Sequence, residues 1–135
     1  MSEILERGNN CFVCGEKNPI GLKVKVEGSG PERFIKVRLD SNYEGYEGII
    51  HGGILVTLMD EVMAYAVSDG INWGVTASIE AKFRKKVESG KTVIVWGKLI
   101  ERSGSWAKAE ARITYEGDNT ILAEAKALFK LVSIK

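Results

Sequence analysis

The sequence has 135 residues, of which 44% are hydrophobic and 27% charged, a composition typical of one globular domain that buries a core. Its 19 basic and 18 acidic residues give a net charge of +1 and are mixed along the chain, so no overall field favours nucleic acid or an anionic membrane. No stretch has the apolar core of a signal peptide or the ~20 apolar residues of a membrane span. We therefore expect a single domain over residues 1–135 of a cytoplasmic protein, with 1–21 as a lead-in segment, that binds neither nucleic acid nor membrane.

The lead-in contains one C-x-x-C motif, Cys11 and Cys14. A zinc site made by one chain usually has four Cys or His ligands, and His51 is the only histidine, so a metal would need ligands shared between subunits. A redox-active pair is expected at the start of a helix in a βαβ unit, whereas Pro19 and Gly21 follow closely here. We predict two half-buried thiols in an ordered loop and no bound metal.

Alternating apolar residues begin at Leu22 and continue through Val26. After a turn-like sequence at 28–31, the alternation returns from Ile35 to Leu39. The pattern predicts two strands joined as a hairpin, followed by a loop over residues 40–50.

A different period follows this loop. Between Gly53 and Ser68 the chain has no Pro or further Gly, and Gly70 is placed to end a helix. Apolar residues recur at the helical spacing of three and four: Leu55, Leu58, Met59, Val62, Met63 and Ala66. Much of the remaining helix surface is also apolar, which predicts a helix enclosed by protein.

Four further strand patterns follow, over residues 76–83, 92–100, 107–115 and 121–131, separated by glycine-containing turns. Alanines occupy one phase of the last two strands, so their small side chains let a bulky helix approach closely. We therefore predict an α+β architecture, a curved antiparallel sheet of about six strands wrapped around one long central helix. Its own sheet covers only one face of this helix, so the other face requires a partner subunit.

The start of the predicted helix resembles a known family. Residues 48–60, GIIHGGILVTLMD, are similar to the G-x-x-HGG-x-x-x-x-L-x-D signature of the phenylacetyl-CoA-type branch of hotdog-fold thioesterases. Residues 75–83 and 104–111 resemble the next strand and a later hairpin of that family, and the lead-in sequence CFVCG resembles the N-terminal motif of a subset of it. The resemblance implies the hotdog fold and hydrolysis of an acyl-CoA thioester, with no cofactor because coenzyme A is part of the substrate. Two departures are Gly45, where several relatives have Asn, and the sequence RKK at 84–86, where Arg-Pro is frequent.

Thioester hydrolysis requires a group that attacks the carbonyl carbon or activates water. Asp60 is the candidate that the resemblance selects, and its neighbours at helical spacing are mostly apolar, which favours a reactive carboxylate. Glu61 is the competing candidate for the catalytic carboxylate, but successive helix residues point about 100° apart, so only one of Asp60 and Glu61 can face a given site. We interpret Glu61 as a structural or interface group. The sequence leaves open whether Asp60 is the nucleophile or the general base.

The reaction also requires donors for the oxygen that becomes negative. Gly52 and Gly53 lie at the positive end of the helix, where a ligand can approach their backbone N–H groups, and the resemblance implies an oxyanion hole at Gly52. Both glycines would equally serve a tight loop-to-helix turn. Gly52 and Asp60 are eight residues apart, about 12 Å along the helix axis, so they cannot contact one carbonyl within one chain. The catalytic unit is therefore predicted to be at least a homodimer with sites at the interface, while dimer and tetramer remain open.

The remaining site residues have alternatives of their own. His51 is predicted to brace the loop and orient the site, or else to hydrogen-bond only for structure. Thr76 aligns with a family hydroxyl that holds the attacking water or the acid, or is an ordinary strand residue. Basic residues are expected to bind the phosphates of coenzyme A, and the candidates are Arg84, Lys85, Lys86 and Arg102, although such a run is more often a solvated turn.

Two other functions compete with the thioesterase. A non-catalytic acyl-CoA-binding or sensing module would explain the fold, although it gives no reason for Asp60. A hotdog hydratase would need an Asp and a His arranged as D-x-x-x-x-H, whereas the single His51 precedes the acid. The acyl group of the substrate is not defined by the sequence.

Overall fold

A computed structural model of the protein describes residues 4–5 and 8–134. The strands are β1 (Ile4–Leu5), β2 (Glu27–Ser29), β3 (Glu32–Arg38), β4 (Asn72–Phe83), β5 (Thr92–Ser103), β6 (Trp106–Tyr115) and β7 (Ala123–Ile134), and the helix α1 spans Gly52–Val67. Antiparallel pairing gives the spatial order β2-β3-β5-β6-β7-β4, and β1 adds a short parallel pair at the end of β7. The predicted α+β architecture, with one helix on an antiparallel sheet, is confirmed.

Small residues on the sheet let α1 pack closely, as the alternation predicted. The inward-facing alanines of β6 and β7 are all buried: Ala107, Ala109, Ala111, Ala123, Ala125 and Ala127. Gly97 of β5 allows a close approach, because a Cβ atom there would lie 2.8 Å from Val62 Cγ1 and 3.2 Å from the Val62 carbonyl carbon. The bulky residues that face this surface from α1, among them Leu58, Met59 and Met63, are fully buried.

The predicted first strand is displaced. Residues 22–26 form no strand, and β2 occupies part of the expected turn instead, with the hairpin turning at 30–31. Lys23 has φ of 54°, which interrupts an extended backbone. The backbone N–H groups of Leu22 and Val24 donate to the carbonyls of Phe12 and Val13 at 2.8 and 2.9 Å, so this segment pairs with the lead-in rather than with β3.

The strand β4 lies at an edge of the sheet and, among the residues that the structure describes, pairs only with β7. Thr76 is opposite Phe129, and Ser78 is opposite the residue of β7 that precedes Phe129, so Ala77 is an extra residue in a β-bulge. Opposite residues of an antiparallel pair face the same side, so Thr76 shares the helix-facing side with the buried Phe129. Simple alternation had placed Thr76 on the side opposite to Ile79, and the bulge brings both to one side.

The helix α1 begins one residue before the predicted start and ends as expected. Ser68 is its C-cap, and Gly70 follows with φ of 87°, a conformation that favours glycine. Over residues 4–5 and 8–134, no helix combines the length and the hydropathy that crossing a bilayer requires.

Candidate active site

The N-terminus of α1 is capped by a histidine. His51 Nδ1 accepts a hydrogen bond of 2.9 Å from the Gly53 N–H, so this ring nitrogen is unprotonated and Nε2 is the atom that can donate. The ring contacts Gly45, where a Cβ would come within 3.3 Å of His51 Cδ2. His51 therefore links the N-terminus of α1 to the preceding loop.

Gly52 is the first residue of α1, and its N–H therefore has no partner within the helix. No hydrogen bond from this N–H is found within the described part of the chain, whereas the neighbouring N–H of Gly53 is occupied by His51. The ring of Phe83 lies beside Gly52, 3.4 Å from the position of a Cβ. The backbone donor at Gly52 is thus the one that remains available for a ligand oxygen at this end of the helix.

A cavity of about 690 Å³ opens at this end of the helix. Its walls include His51 and Gly52 on one side and Phe83 with the basic residues Arg84, Lys85 and Lys86 on the other. Arg84 is held by Glu124, with 2.8 Å between Nε and Oε2, and this contact holds the pKa of Glu124 below its usual value. Within residues 4–5 and 8–134, no ion pair involves Lys85 or Lys86. The cavity therefore combines a backbone donor with positive charge.

Asp60 lies two turns further along α1 and is half-buried. Thr76 Oγ1 donates a hydrogen bond of 2.6 Å to Asp60 Oδ1. The bulge in β4 makes this contact possible, because it turns the Thr76 hydroxyl toward the helix. Among the described residues no hydrogen bond to the other oxygen, Oδ2, is found, which leaves it for a further proton donor such as a water molecule.

The predicted residues therefore fall into two groups and one outlier. His51, Gly52 and Gly53 share the end of α1 with 84–86, whereas Asp60 and Thr76 form a separate pair in its middle. Arg102 belongs to neither group, since its guanidinium pairs with Asp69 at 2.9 Å and does not line the cavity. The ion pair joins Arg102 of β5 to the turn after α1.

A third cluster escaped the sequence analysis. Cys11 Sγ lies 3.8 Å from Glu61 Oε2, and Tyr65 donates its hydroxyl hydrogen to Cys14 Sγ at 3.5 Å. Burial, followed by the neighbouring Glu61 carboxylate, raises the pKa of the Cys14 thiol to about 12. The thiols are half-buried in an ordered loop, as predicted. Their contact with Glu61 joins positions fifty residues apart, which no local pattern reveals.

The sheet and its single central helix have close structural counterparts. A thioesterase superfamily protein of known crystal structure matches with a TM-score of 0.81 and 24% identity over 90% of this chain, which spans 60% of that protein. A Streptococcus mutans protein bound to acetyl-CoA has a TM-score of 0.75 and 15% identity, covering 82% of this chain and 89% of that one. The Escherichia coli PaaI protein of the phenylacetic acid degradation operon has a TM-score of 0.77 and 14% identity, covering 84% of both chains. The fold is the hotdog fold, as the resemblance implied.

Sequence comparison identifies the family within that fold. The model of the thioesterase superfamily matches residues 47–122, more than half of the chain. The protein therefore belongs to the thioesterase superfamily. No curated protein matches the sequence significantly.

Proposed function

We propose that the protein is an acyl-CoA thioesterase, which hydrolyses its substrate to a free acid and coenzyme A, and that it acts as at least a homodimer. The observation that carries the proposal is the division of the site along α1. A carboxylate held by a hydroxyl lies in mid-helix, and an available backbone N–H beside a basic cavity lies at the N-terminus. These are the two requirements of thioester hydrolysis, located at two separate places.

Asp60 supplies the carboxylate. In one route its free oxygen attacks the thioester carbon, expels the thiolate of coenzyme A and leaves an acyl-Asp60 anhydride that water then hydrolyses. In the other route Asp60 takes a proton from a water molecule, which attacks instead. Both routes give the acid and the thiol, and in both the Thr76 hydroxyl fixes the position of the carboxylate through Oδ1.

The backbone N–H of Gly52 supplies the oxyanion donor, and the positive end of α1 adds to it. Lys85 and Lys86 are placed to contact the phosphates of coenzyme A, with Arg84 behind them. The acetyl-CoA bound to the S. mutans relative agrees with a substrate of this class.

Two subunits are needed because Gly52 and Asp60 lie about 12 Å apart along one rigid helix. If two α1 helices run antiparallel across a two-fold axis, Gly52 of each subunit comes near Asp60 of the other. The edge of β4 is suited to such a contact, because its apolar residues Val75 and Phe83 are 41% and 53% exposed. The proposed site thus forms twice in each dimer.

The first test measures thiol release from a panel of acyl-CoA substrates. We expect turnover of at least one substrate by the wild type and a loss of at least about 100-fold in Asp60→Asn, the lower range for a lost acid–base group. Asp118→Asn, the same chemical change in the exposed β6–β7 turn, is the control and keeps full activity. Tight binding of acyl-CoA without any turnover would indicate that the protein is a non-catalytic sensor and would contradict the proposed hydrolysis.

The second test asks whether the site is shared. Asp60→Asn and Gly52→Pro are unfolded and refolded together in equal amounts. Half of the resulting dimers are mixed, and each mixed dimer has one site with an intact Gly52 and an intact Asp60. We therefore expect recovery of about a quarter of the wild-type activity. If each site lay within one chain, mixing would recover nothing.

A further inference from the structure

The cluster of Cys11, Cys14 and Glu61 takes no part in the proposed hydrolysis. One potential metal-ligating atom of each residue, the two Sγ atoms and a carboxylate oxygen, lies within 4.8 Å of the other two. Cys11 Sγ lies 3.8 Å from Glu61 Oε2. All three residues are half-buried, so their side chains are ordered against the protein rather than spread in solvent.

The backbone of the lead-in is shaped around the sulfur of Cys11. The N–H groups of Val13 and Cys14 both point at Cys11 Sγ, at 3.4 and 3.5 Å, and the N–H of Gly15 donates to the Cys11 carbonyl at 2.9 Å. Only glycine fits at position 15, because a Cβ there would lie 2.3 Å from the Cys11 nitrogen. These contacts fix the position of the Cys11 sulfur beside Glu61.

We propose that Cys11, Cys14 and Glu61 bind a zinc ion. Two thiolates and a carboxylate form a ligand set that zinc accepts. With zinc–sulfur and zinc–oxygen bonds of about 2.3 and 2.1 Å, tetrahedral geometry places a sulfur and an oxygen about 3.6 Å apart. The distance of 3.8 Å between Cys11 Sγ and Glu61 Oε2 is within a few tenths of an ångström of this value. Three protein ligands leave the fourth position of the tetrahedron to a water molecule.

The proposed site would hold in place residues 8–26, a segment without helix or strand. Binding would release the thiol protons to solvent and tie the lead-in to α1 at Glu61, the residue next to Asp60. The ion would therefore stabilise the folded chain and fix the path of the lead-in across the helix. The inference does not depend on the proposed thioesterase activity.

The test uses the full chain, stripped of metal by a chelator and titrated with zinc or cobalt. We expect one ion per chain, a thiolate-to-cobalt charge-transfer absorption, and a melting temperature that rises when zinc is added. Glu61→Gln should bind zinc at least about tenfold more weakly, the smallest loss seen even for residues that only support a ligand. Cys14→Ser should lose the site, and Glu16→Gln, an exposed carboxylate of the same loop, should bind like the wild type.

Three results would overturn the site. The first is no saturable binding of zinc by the wild type, with no change in its melting temperature. The second is cobalt binding without the thiolate absorption. The third is equal zinc affinity in Glu61→Gln and the wild type, which would remove the carboxylate from the ligand set. The wild-type measurements require no variant to fold, so a failure of Cys14→Ser to fold leaves the test intact.

Discussion

Removing the Thr76 hydroxyl isolates the contact that positions the proposed catalytic carboxylate. Thr76→Val keeps the shape of the side chain and deletes the 2.6 Å hydrogen bond to Asp60 Oδ1. Hydrogen bonds to charged groups are worth roughly 1.5–3 kcal/mol, or about 10- to 150-fold in a rate. Thr76 is exposed in the single chain, so the lower end applies, and we expect kcat/KM to fall about tenfold.

The assay is thiol release from the best acyl-CoA of the wild type, with melting temperatures measured in parallel. Thr76→Ser is the matched control, because it keeps a hydroxyl at the same position, and it should retain most of the activity. A fall in kcat with little change in KM would place the effect on the carboxylate rather than on substrate binding. Equal kcat/KM in Thr76→Val and the wild type would refute the positioning role.

Three further predictions concern the ends of α1. Gly52→Pro removes a backbone N–H at the first helical position, where proline is tolerated, so the helix should persist while kcat falls by about 10²–10³. His51→Ala removes the N-cap and should lower the free energy of unfolding by about 1 kcal/mol, whereas His51→Asn should retain it. Hydrogen bonds from Asn72 and Arg102 lower the pKa of Asp69 in the folded chain. The ionised Asp69 carboxylate therefore stabilises the fold fully above the unfolded-state pKa near 4, and this stabilisation is lost as the pH falls through the folded-state pKa. Asp69→Asn should lower the free energy of unfolding by about 1 kcal/mol at pH 7, a figure kept small because solvent screens the carboxylate. The difference in the free energy of unfolding between this variant and the wild type should narrow below about pH 4.

Each of these predictions has its own control. Gly52→Ala is the control for Gly52→Pro, because it keeps the backbone N–H and places a Cβ at an ordinary 3.4 Å from Phe83, and it should retain activity. Full activity in Gly52→Pro together with an intact helix would exclude the role of the Gly52 N–H as a donor. Denaturant unfolding separates the two His51 variants, and equal destabilisation in both would contradict the capping argument. For Asp69, a stability difference that is constant from pH 7 to pH 2 would contradict the lowered pKa.

Local periodicity was sufficient for the helix and for the alanine surface beneath it. The apolar repeat of α1 and the small residues of β6 and β7 are each properties of one continuous segment, so both were predicted correctly. Thr76 shows the limit of this method. An alternating pattern assigns it to the side opposite to Ile79, and only the extra residue Ala77, visible in the pairing with β7, brings the two to one side.

The lead-in shows a second limit. The alternating pattern at 22–26 predicts a strand, but Lys23 has a positive φ and the backbone of this segment bonds to the loop of Cys11 instead. These bonds join residues 22–26 to the lead-in and are not visible in a local pattern. The contact between Cys11 and Glu61 escapes local patterns for a similar reason, because the two residues are fifty positions apart and lie on different elements.

The bulge at Ala77 also bears on solubility. A free edge of twelve residues, as in β4, is a template on which strands of other molecules can add without limit, the first step of aggregation. The bulge divides the edge into two short stretches and increases its twist, and Glu80 and Lys82 add charges along the second stretch. The same irregularity that turns Thr76 toward Asp60 therefore protects the chain from disordered self-association.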